Sequence, residues 1–251
     1  MAERWEGEGA SADAPESASV LRVSVIIPTL DEAASLPLLM ARLQQEPELA
    51  EIIVADGDSS DGTTAIAERL GARVVMCPRG RGQQLRAGAA AASGDVLLFL
   101  HADCVFPAGG LAAIAAALAQ NPAAPGGNFT LVFDGESPFA RWLTGFYASI
   151  RRFGLYYGDS GIFVRRSVYR AMGGIKPIAL MEDYEFAGRL ERAGPTLRID
   201  NPALVTSSRK FAGRRAPAIV AGWLVIHLLY ALGVSPAHLA RLYYPRGWRA
   251  Q

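Results

Sequence analysis

Three apolar runs in this chain stop at acidic residues. Leu97-Leu98-Phe99-Leu100 ends in His101-Ala102-Asp103-Cys104. Val23-Ser24-Val25-Ile26-Ile27-Pro28 ends in Thr29-Leu30-Asp31-Glu32. Ile52-Ile53-Val54-Ala55 ends in Asp56-Gly57-Asp58-Ser59-Ser60-Asp61-Gly62-Thr63. Open α/β sheets bind ligands in the crevice outside the carboxyl ends of their strands. A carboxylate there can hold a divalent cation against a phosphorylated ligand. Strand ends of this kind predict a nucleotide and a metal at one rim. A Gly/Arg loop, Pro78-Arg79-Gly80-Arg81-Gly82-Gln83-Gln84-Leu85-Arg86, opens a helical pattern and offers backbone N–H groups to an anion. Arg81 could add a fork of donors to a phosphate. The loop is neither a dinucleotide G-x-G-x-x-G nor a Walker A sequence, and an ordinary solvated turn is the competing reading.

The elements that must position these residues alternate. The pattern predicts strands at 23–28, 51–55, 72–76 and 95–100, and helices near 32–45, 62–70, 82–93 and 108–120. Asp31 falls at the N-cap of the first helix and Gly71 at the C-cap of the second. Short runs rich in Val and Ile fit buried parallel strands. The fold class is therefore α/β, a doubly wound, mostly parallel sheet flanked by helices. The rhythm breaks after Asn121. Pro122, Pro125, Gly126 and Gly127 read as a loop, and Asn128 to Asp134 as a strand. The stretch 137–157 is crowded with aromatic residues. A strand at 161–165 and helices near 167–172 and 182–193 follow, with no internal repeat.

The composition bounds the class. Of 251 residues 51% are apolar and 20% charged, enough to build a large core, and the net charge is +1. Neither that charge nor any long basic tract makes a case for nucleic acid. Two cysteines, Cys77 and Cys104, cannot form a disulfide framework, and a reduced, cytoplasmic protein is the expectation. Residues 1–20 are rich in Ala, Ser, Glu and Gly and read as a disordered tail rather than a signal peptide. Residues 21–210 read as one domain with a nucleotide half (21–120) and an acceptor half (121–210). Residues 211–251 read as a C-terminal helical segment. Its apolar run, Ala218–Val234, is 17 residues long and interrupted only by His227. A bilayer span needs about 20 apolar residues. A buried helix is the favoured reading. Peripheral contact with the cytoplasmic membrane face through 218–249 is the rival, helped by Arg209, Lys210, Arg214, Arg215 and the Tyr243–Arg249 end.

SVIIPTLDEA, IIVADGDSSDGT, the Gly/Arg loop, LLFLHADC and LMEDYEFAGRLERAG follow one another in this order. Together they resemble family 2 glycosyltransferases of GT-A fold, over roughly residues 22–210. Within that family the chain is most similar to a short bacterial branch with a HAD triplet and a YGDxG segment, a branch associated with arsenosugar biosynthesis. The resemblance implies a nucleotide-sugar donor, most readily a UDP-sugar, and a divalent cation, Mn2+ or Mg2+. It places Pro28 and Thr29 at the turn after the first strand and Asp31 or Glu32 near base and ribose. Asp56 and Asp58 become acceptors for uracil N3–H or ribose hydroxyls. Arg81 joins the nucleotide site.

By the same resemblance His101-Ala102-Asp103 stands at the family's Asp-x-Asp position. Asp103 keeps the metal-ligand role. His101 replaces the first acid and binds the metal, hydrogen-bonds ribose or phosphate, or packs. Glu182-Asp183 matches the family's Glu-Asp motif, with Asp183 the base that takes the acceptor proton. Gly158, Asp159 and Ser160 line the sugar or acceptor side, and Arg209 and Lys210 form a flap over the diphosphate. Structural alternatives stand beside each assignment: helix capping for Asp58, Asp61 and Asp183, a tight turn for 157–161, a solvated charge run for 209–215.

The reading that follows is a metal-dependent, inverting, hexosyltransferase-like enzyme acting on an acceptor hydroxyl. Two rivals remain. A sugar-phosphate nucleotidyltransferase would carry a Gly-rich, Arg-bearing loop after the first strand, where this chain has Pro28-Thr29-Leu30-Asp31-Glu32. A non-catalytic, membrane-associated nucleotide-sugar binding protein would have no use for Asp103 and Asp183.

Overall fold

A computed structural model describes residues 20–208 and 216–244. The tail 1–19, the flap residues Arg209 and Lys210, the cations Arg214 and Arg215, and residues 245–251 lie outside the described residues. The first half alternates β1 (Val23–Thr29), α1 (Leu36–Leu43), β2 (Leu49–Asp56), α2 (Thr63–Arg69), β3 (Arg73–Met76), α3 (Arg81–Ala91), β4 (Val96–Phe99) and α4 (Gly110–Gln120). The second half runs β5 (Gly126–Phe133), α5 (Pro138–Arg151), a 3-10 turn at Gly158–Ser160, β6 (Ile162–Arg165), α6 (Arg166–Ala171), α7 (Glu182–Ala193) and β7 (Leu197–Thr206). Then come α8 (Ala216–Ala231) and α9 (Pro236–Tyr243). The seven strands lie in the order β3-β2-β1-β4-β6-β5-β7.

Strands β3, β2, β1 and β4 are mutually parallel. β6 runs antiparallel to both β4 and β5, and β5 pairs parallel with β7. The expected mostly parallel sheet is therefore a mixed one. Alternate residues of the central strands face opposite layers. Val25, Ile27, Val54 and Leu98 pack with α1, α4 and α5 on one side. Ile26, Ile53, Leu97 and Phe99 pack with α3, α6 and α7 on the other. Both faces are covered, so both sets are apolar.

Several expectations on the elements are met and some are corrected. Gly71, at φ 81°, closes α2: its N–H reaches Glu68 O at 2.9 Å, and that of Ala72 reaches Ala67 O at 2.9 Å. Asp31 is not the N-cap of α1, which begins five residues later after Ser35. Gly126 and Gly127 open β5 rather than a loop. A Cβ on Gly126 would lie 2.1 Å from Phe163 O, and one on Gly127 2.0 Å from Leu197 O, so only glycine lets β6 and β7 close on β5. Strand β7 escaped the sequence pattern because Asp200-Asn201-Pro202 reads as a turn. In the sheet that run is an irregularity, and pairing jumps from Phe129–Ile199 to Leu131–Leu204.

The C-terminal segment is neither fully buried nor detached. Ile226 and Leu239 form a cluster with Leu180 and Met181, immediately before α7, and Ile219 joins the main core. The opposite face of α8 is open: Leu224, Leu228 and Leu232, four residues apart, are 67%, 61% and 72% exposed. The favoured buried-helix reading holds for one face of α8 and fails for the other. Among the described residues no helix is long and apolar enough to cross a membrane.

Candidate active site

β1, β2 and β3 end level with one another, and β4 ends against Ile26, three residues earlier, so that the residues after it continue toward the same rim. Thr29 and Asp56 are register partners, as are Asp56 and Met76, and the Leu100 N–H bonds to Ile26 O at 3.0 Å. The rim therefore holds the ends of β1, β2 and β4 side by side. Only three non-glycine residues among those described have φ above zero: Asp31, Asp58 and Met181. Asp31 and Asp58 stand just past β1 and β2, and Met181 immediately precedes α7. Such strain persists where surrounding structure enforces it, and here it is gathered where function is expected.

The first two loops are stitched together by their own side chains. Asp56 is fully buried and accepts from Thr29 Oγ1 at 2.8 Å, from Ser59 N–H at 2.8 Å and from Ser59 Oγ at 2.6 Å. Asp31 accepts from Ser60 N–H at 2.8 Å, while Ser59 Oγ accepts from Asp31 N–H at 2.9 Å. Thr63 Oγ1 accepts from Glu32 N–H at 2.9 Å, and Asp61 from Ala33 N–H and Thr63 N–H at 2.9 and 3.0 Å. The structural role weighed for Asp61 is what the geometry shows, extended to a tie between the two loops. Asp58 carries no cap; its exposed carboxylate meets Arg79 at 3.3 Å. Gln84 is buried and donates to Thr29 O at 2.6 Å and Ala55 O at 3.0 Å, joining the ends of β1 and β2. No local pattern signals that bridge, because a glutamine in a Gly/Arg loop reads as solvated.

The second cluster forms at the start of α7. Glu182 and Asp183 are both buried. Arg81 reaches across from the start of α3, with Nε on Glu182 Oε1 and Nη2 3.3 Å from Asp183 Oδ2. The guanidinium expected on a phosphate is thus held by the carboxylate pair. Asp183 Oδ2 also accepts from Gly158 N–H at 2.9 Å, and Oδ1 from Tyr184 N–H at 2.7 Å. Burial alone would raise the Asp183 pKa. Arg81, the two backbone amides and the charge of His101 outweigh it and hold the carboxylate below its ordinary value. Glu182 moves the other way: burial, together with the charge on Asp183, raises it against the pull of Arg81. The geometry separates the roles of two adjacent acids, with Asp183 ionised and aimed by three donors.

His101 is near this cluster. A Cβ on Gly158 would lie 3.2 Å from Asp183 Oδ2 and 3.4 Å from His101 Nε2, so the 158–160 turn sits against both side chains. Asp103, two residues on, is half-buried and makes no hydrogen bond or ion pair among the described residues. Ala102 between them packs into the core. Among the described residues no group of three His, Cys, Asp or Glu side chains could hold a metal. A cation at Asp103 would have that one carboxylate and would need ligand oxygens to complete its coordination. Cys104 is buried, and burial beside Asp103 pushes its thiol well up, so it packs as a small apolar residue.

Asp159 and Ser160 are buried under the rim, and Asp159 accepts from the Tyr147 hydroxyl at 3.2 Å. Ring residues stand beside this cluster, and of these the sequence reading places only Tyr157, within the 157–161 segment, on the sugar or acceptor side. Tyr157 stacks on Tyr184, with centroids 6.1 Å apart, and His227 of α8 stands edge-on to both. Tyr244, past the end of α9, lies near Arg81, and burial raises its hydroxyl above the usual tyrosine range. His227 had one signal in the sequence: it is the only polar break in an apolar run.

The family model for glycosyl transferase family 2 matches residues 24–172. An uncharacterized glycosyltransferase of Mycobacterium tuberculosis is 37% identical over 97 residues, covering 38% of this chain and 43% of that protein. The match thus spans less than half the length of that relative. Among solved structures, a mannosyltransferase from Pyrobaculum calidifontis in complex with GDP-Man and Mn2+ superposes with a TM-score of 0.64 at 19% identity. It covers 92% of this chain and 72% of its own. Glucosyl-3-phosphoglycerate synthase from Mycobacterium tuberculosis, in complex with Mn2+, UDP and glucosyl-3-phosphoglycerate, gives 0.62 at 20% identity, covering 92% and 87%. At these identities the structural likeness speaks for the fold.

Proposed function

The chain belongs to glycosyl transferase family 2 and is a glycosyltransferase of GT-A fold, and on that premise we propose that it moves a sugar from a UDP-sugar to an acceptor hydroxyl with inversion. The observation that carries this reading is Asp183: a buried, ionised carboxylate aimed by Arg81, Gly158 N–H and Tyr184 N–H at the rim where β1, β2 and β4 end. In the proposed reaction Asp183 takes the acceptor proton. The freed oxygen attacks C1 from the face opposite the leaving group, the bond from C1 to the phosphate oxygen breaks, and its electron pair departs with the nucleoside diphosphate.

Asp56, Asp31, Asp58, Thr29, Pro28 and Glu32 form the platform for base and ribose, and the clamped loops keep it rigid. A divalent cation on Asp103, when bound, neutralises the departing diphosphate. Support for the donor and the metal comes from the two solved relatives, bound to UDP with Mn2+ and to GDP-Man with Mn2+. His101 is the second candidate ligand, on the side of the base. Gly158, Asp159 and Ser160 belong to the sugar and acceptor side, and Arg209 and Lys210 to a flap over the diphosphate. The open stripe Leu224-Leu228-Leu232 supports peripheral contact with the cytoplasmic face of a membrane. From residue 209 onward the chain carries seven lysines and arginines and no acid, which suits an anionic lipid surface.

The test is product analysis with a panel of UDP- and GDP-sugars and Mn2+. Release of UDP in wild type and its loss in Asp183→Asn supports the reading. Release of inorganic diphosphate would replace it with nucleotidyl transfer, and nucleotide binding without turnover of any donor would replace it with a binding protein.

A further inference from the structure

An open cleft of about 760 Å³ runs along the outer face of α7, away from Glu182. Its floor is Ala187 and Gly188. Its walls are Tyr184 and Tyr230 at one end, and the 152–156 loop with Phe153, which is 82% exposed, along one side. Tyr184 belongs to both places: it follows the candidate base, stacks on Tyr157 and meets Tyr230 edge-on at 5.9 Å. The cleft therefore begins at the catalytic cluster.

Its charges are not balanced. Glu185 is neutralised by Arg189 at 2.8 Å and Lys176 at 2.7 Å, and Glu191 by Arg151 at 3.3 Å. Arg152 and Arg192 also line the cleft and form no ion pair among the described residues. Arg192 folds back over the floor, with its Nη1 3.9 Å from where a Cβ on Gly188 would stand. The result is an aromatic and apolar trough with two uncommitted guanidinium groups. Such forks suit phosphate or carboxylate, and the ring walls suit an apolar or ring-bearing body.

We infer that this cleft is the acceptor subsite and that the acceptor is an elongated molecule carrying a phosphate or carboxylate. This inference rests on the glycosyl-transfer reading above. The Arg192 guanidinium folds back to Gly188, five residues past Asp183, which is about 7.5 Å along the helix axis at the α-helical rise per residue. The acceptor accordingly places its reacting hydroxyl at Asp183 and its anion about that far away, with rings or methylenes against Tyr184, Tyr230 and Phe153 between them.

The experiment is titration of the full chain with phenyl phosphate and with inorganic phosphate, followed by calorimetry. Wild type should bind phenyl phosphate saturably and at least about tenfold more tightly than inorganic phosphate. Arg192→Glu, Arg152→Glu and Gly188→Leu should each weaken phenyl phosphate by about tenfold or more. Gly188→Leu meets only the movable end of Arg192, so it fills the trough without touching the core. UDP binding in the presence of Mn2+ should be unchanged in all of them. Equal binding of the two phosphates, or variants that bind phenyl phosphate as wild type does, overturns the inference while intact UDP binding leaves the glycosyltransferase reading standing. Loss of UDP binding in wild type sinks that reading instead. A second arm uses phosphatidylcholine vesicles with and without phosphatidic acid. Sedimentation that needs phosphatidic acid and is lost in Arg192→Glu assigns the anion to a lipid. Phenyl phosphate binding without it assigns a soluble acceptor.

Discussion

The Tyr157 hydroxyl donates to Nε2 of His227 at 2.9 Å. The opposite nitrogen, Nδ1, faces Trp223 O at 2.8 Å, which places the ring proton there and leaves Nε2 as the acceptor. Tyr157 immediately precedes Gly158, whose N–H holds Asp183. A residue of the C-terminal helix is therefore joined to the candidate base through one side chain and one backbone amide.

Replacing His227 with Leu tests that link. The variant leaves a half-buried tyrosine hydroxyl unpaired, at a cost of about 1–3 kcal/mol in denaturant unfolding. Turnover should fall while nucleotide affinity holds, because Gly158 loses the anchor of its neighbour and the donor platform is elsewhere. His227→Gln, which can still accept from Tyr157, should recover part of both losses. Full activity in His227→Leu would detach α8 from the chemistry.

Much of this site was legible before any coordinates. The acids at three strand ends, the Glu-Asp start of α7 and the existence of most elements follow from period and motif. Partnerships between distant residues do not. Arg81 and Glu182 are 101 positions apart, and nothing in either segment indicates that the guanidinium turns to a carboxylate pair rather than a phosphate. The Gln84 bridge and the His227 contact are tertiary in the same way. β7 was illegible for a local reason: a proline and two turn-forming residues interrupt it, and pairing with β5 absorbs the irregularity.

The Arg81 pairing fixes the sign of a pH effect. Asp183 is held below its ordinary value, so its ionised form stabilises the fold above the unfolded pKa of about 4, and that contribution is lost as pH falls through the lower folded pKa. Glu182 is raised and works in the opposite direction: its contribution is present below the unfolded pKa of about 4 and is lost as pH rises through the higher folded pKa. Arg81→Met removes the cation that offsets burial. The Asp183 pKa should then rise, the acid limb of kcat/KM should move to higher pH, and stability near neutral pH should drop by about 3–5 kcal/mol, the cost of leaving a buried charge unpaired. An acid limb unmoved in Arg81→Met would show that Asp183 does not titrate in the reaction.

The metal assignment predicts that Asp103→Ala weakens Mn2+-dependent nucleotide binding and nearly abolishes transfer. Because the donor set offers one carboxylate, metal affinity without nucleotide should already be weak in wild type. His101→Asp should be tolerated and should shift preference toward Mg2+, since carboxylate matches that ion better than imidazole does. Calorimetry with each ion, with and without UDP, reads both effects. Unchanged manganese dependence in Asp103→Ala would move the metal elsewhere.

The exposed face of α8 predicts co-sedimentation with anionic vesicles that weakens at high salt. Leu228→Glu places a charge in the middle of the open stripe, on the exposed side of the helix rather than the side that carries His227, and should abolish the interaction without changing UDP binding. Vesicle binding that survives Leu228→Glu would leave the stripe without that role.

The most direct prediction concerns the two neighbouring acids. Asp183→Asn keeps size and shape but removes the basic lone pair, and turnover should fall by roughly 10²–10⁴-fold, the usual contribution of a general base. The amide would still accept from Gly158 N–H or Tyr184 N–H, so the turn and the helix start should survive. Nucleotide affinity should change little, because Asp183 faces the acceptor and not the diphosphate. Glu182→Gln removes the closer of the two charges on Arg81 and leaves Asp183 as its remaining partner. The guanidinium then draws Asp183 further toward the ionised state, a weaker base, so a milder fall in turnover is expected, with no change in donor binding. Single-turnover rates and UDP titrations on the two variants separate the roles. If Asp183→Asn loses nucleotide binding and turnover in equal measure, Asp183 supports the donor site or the fold, and Asp159, buried beneath the same rim, becomes the next residue to test as the base.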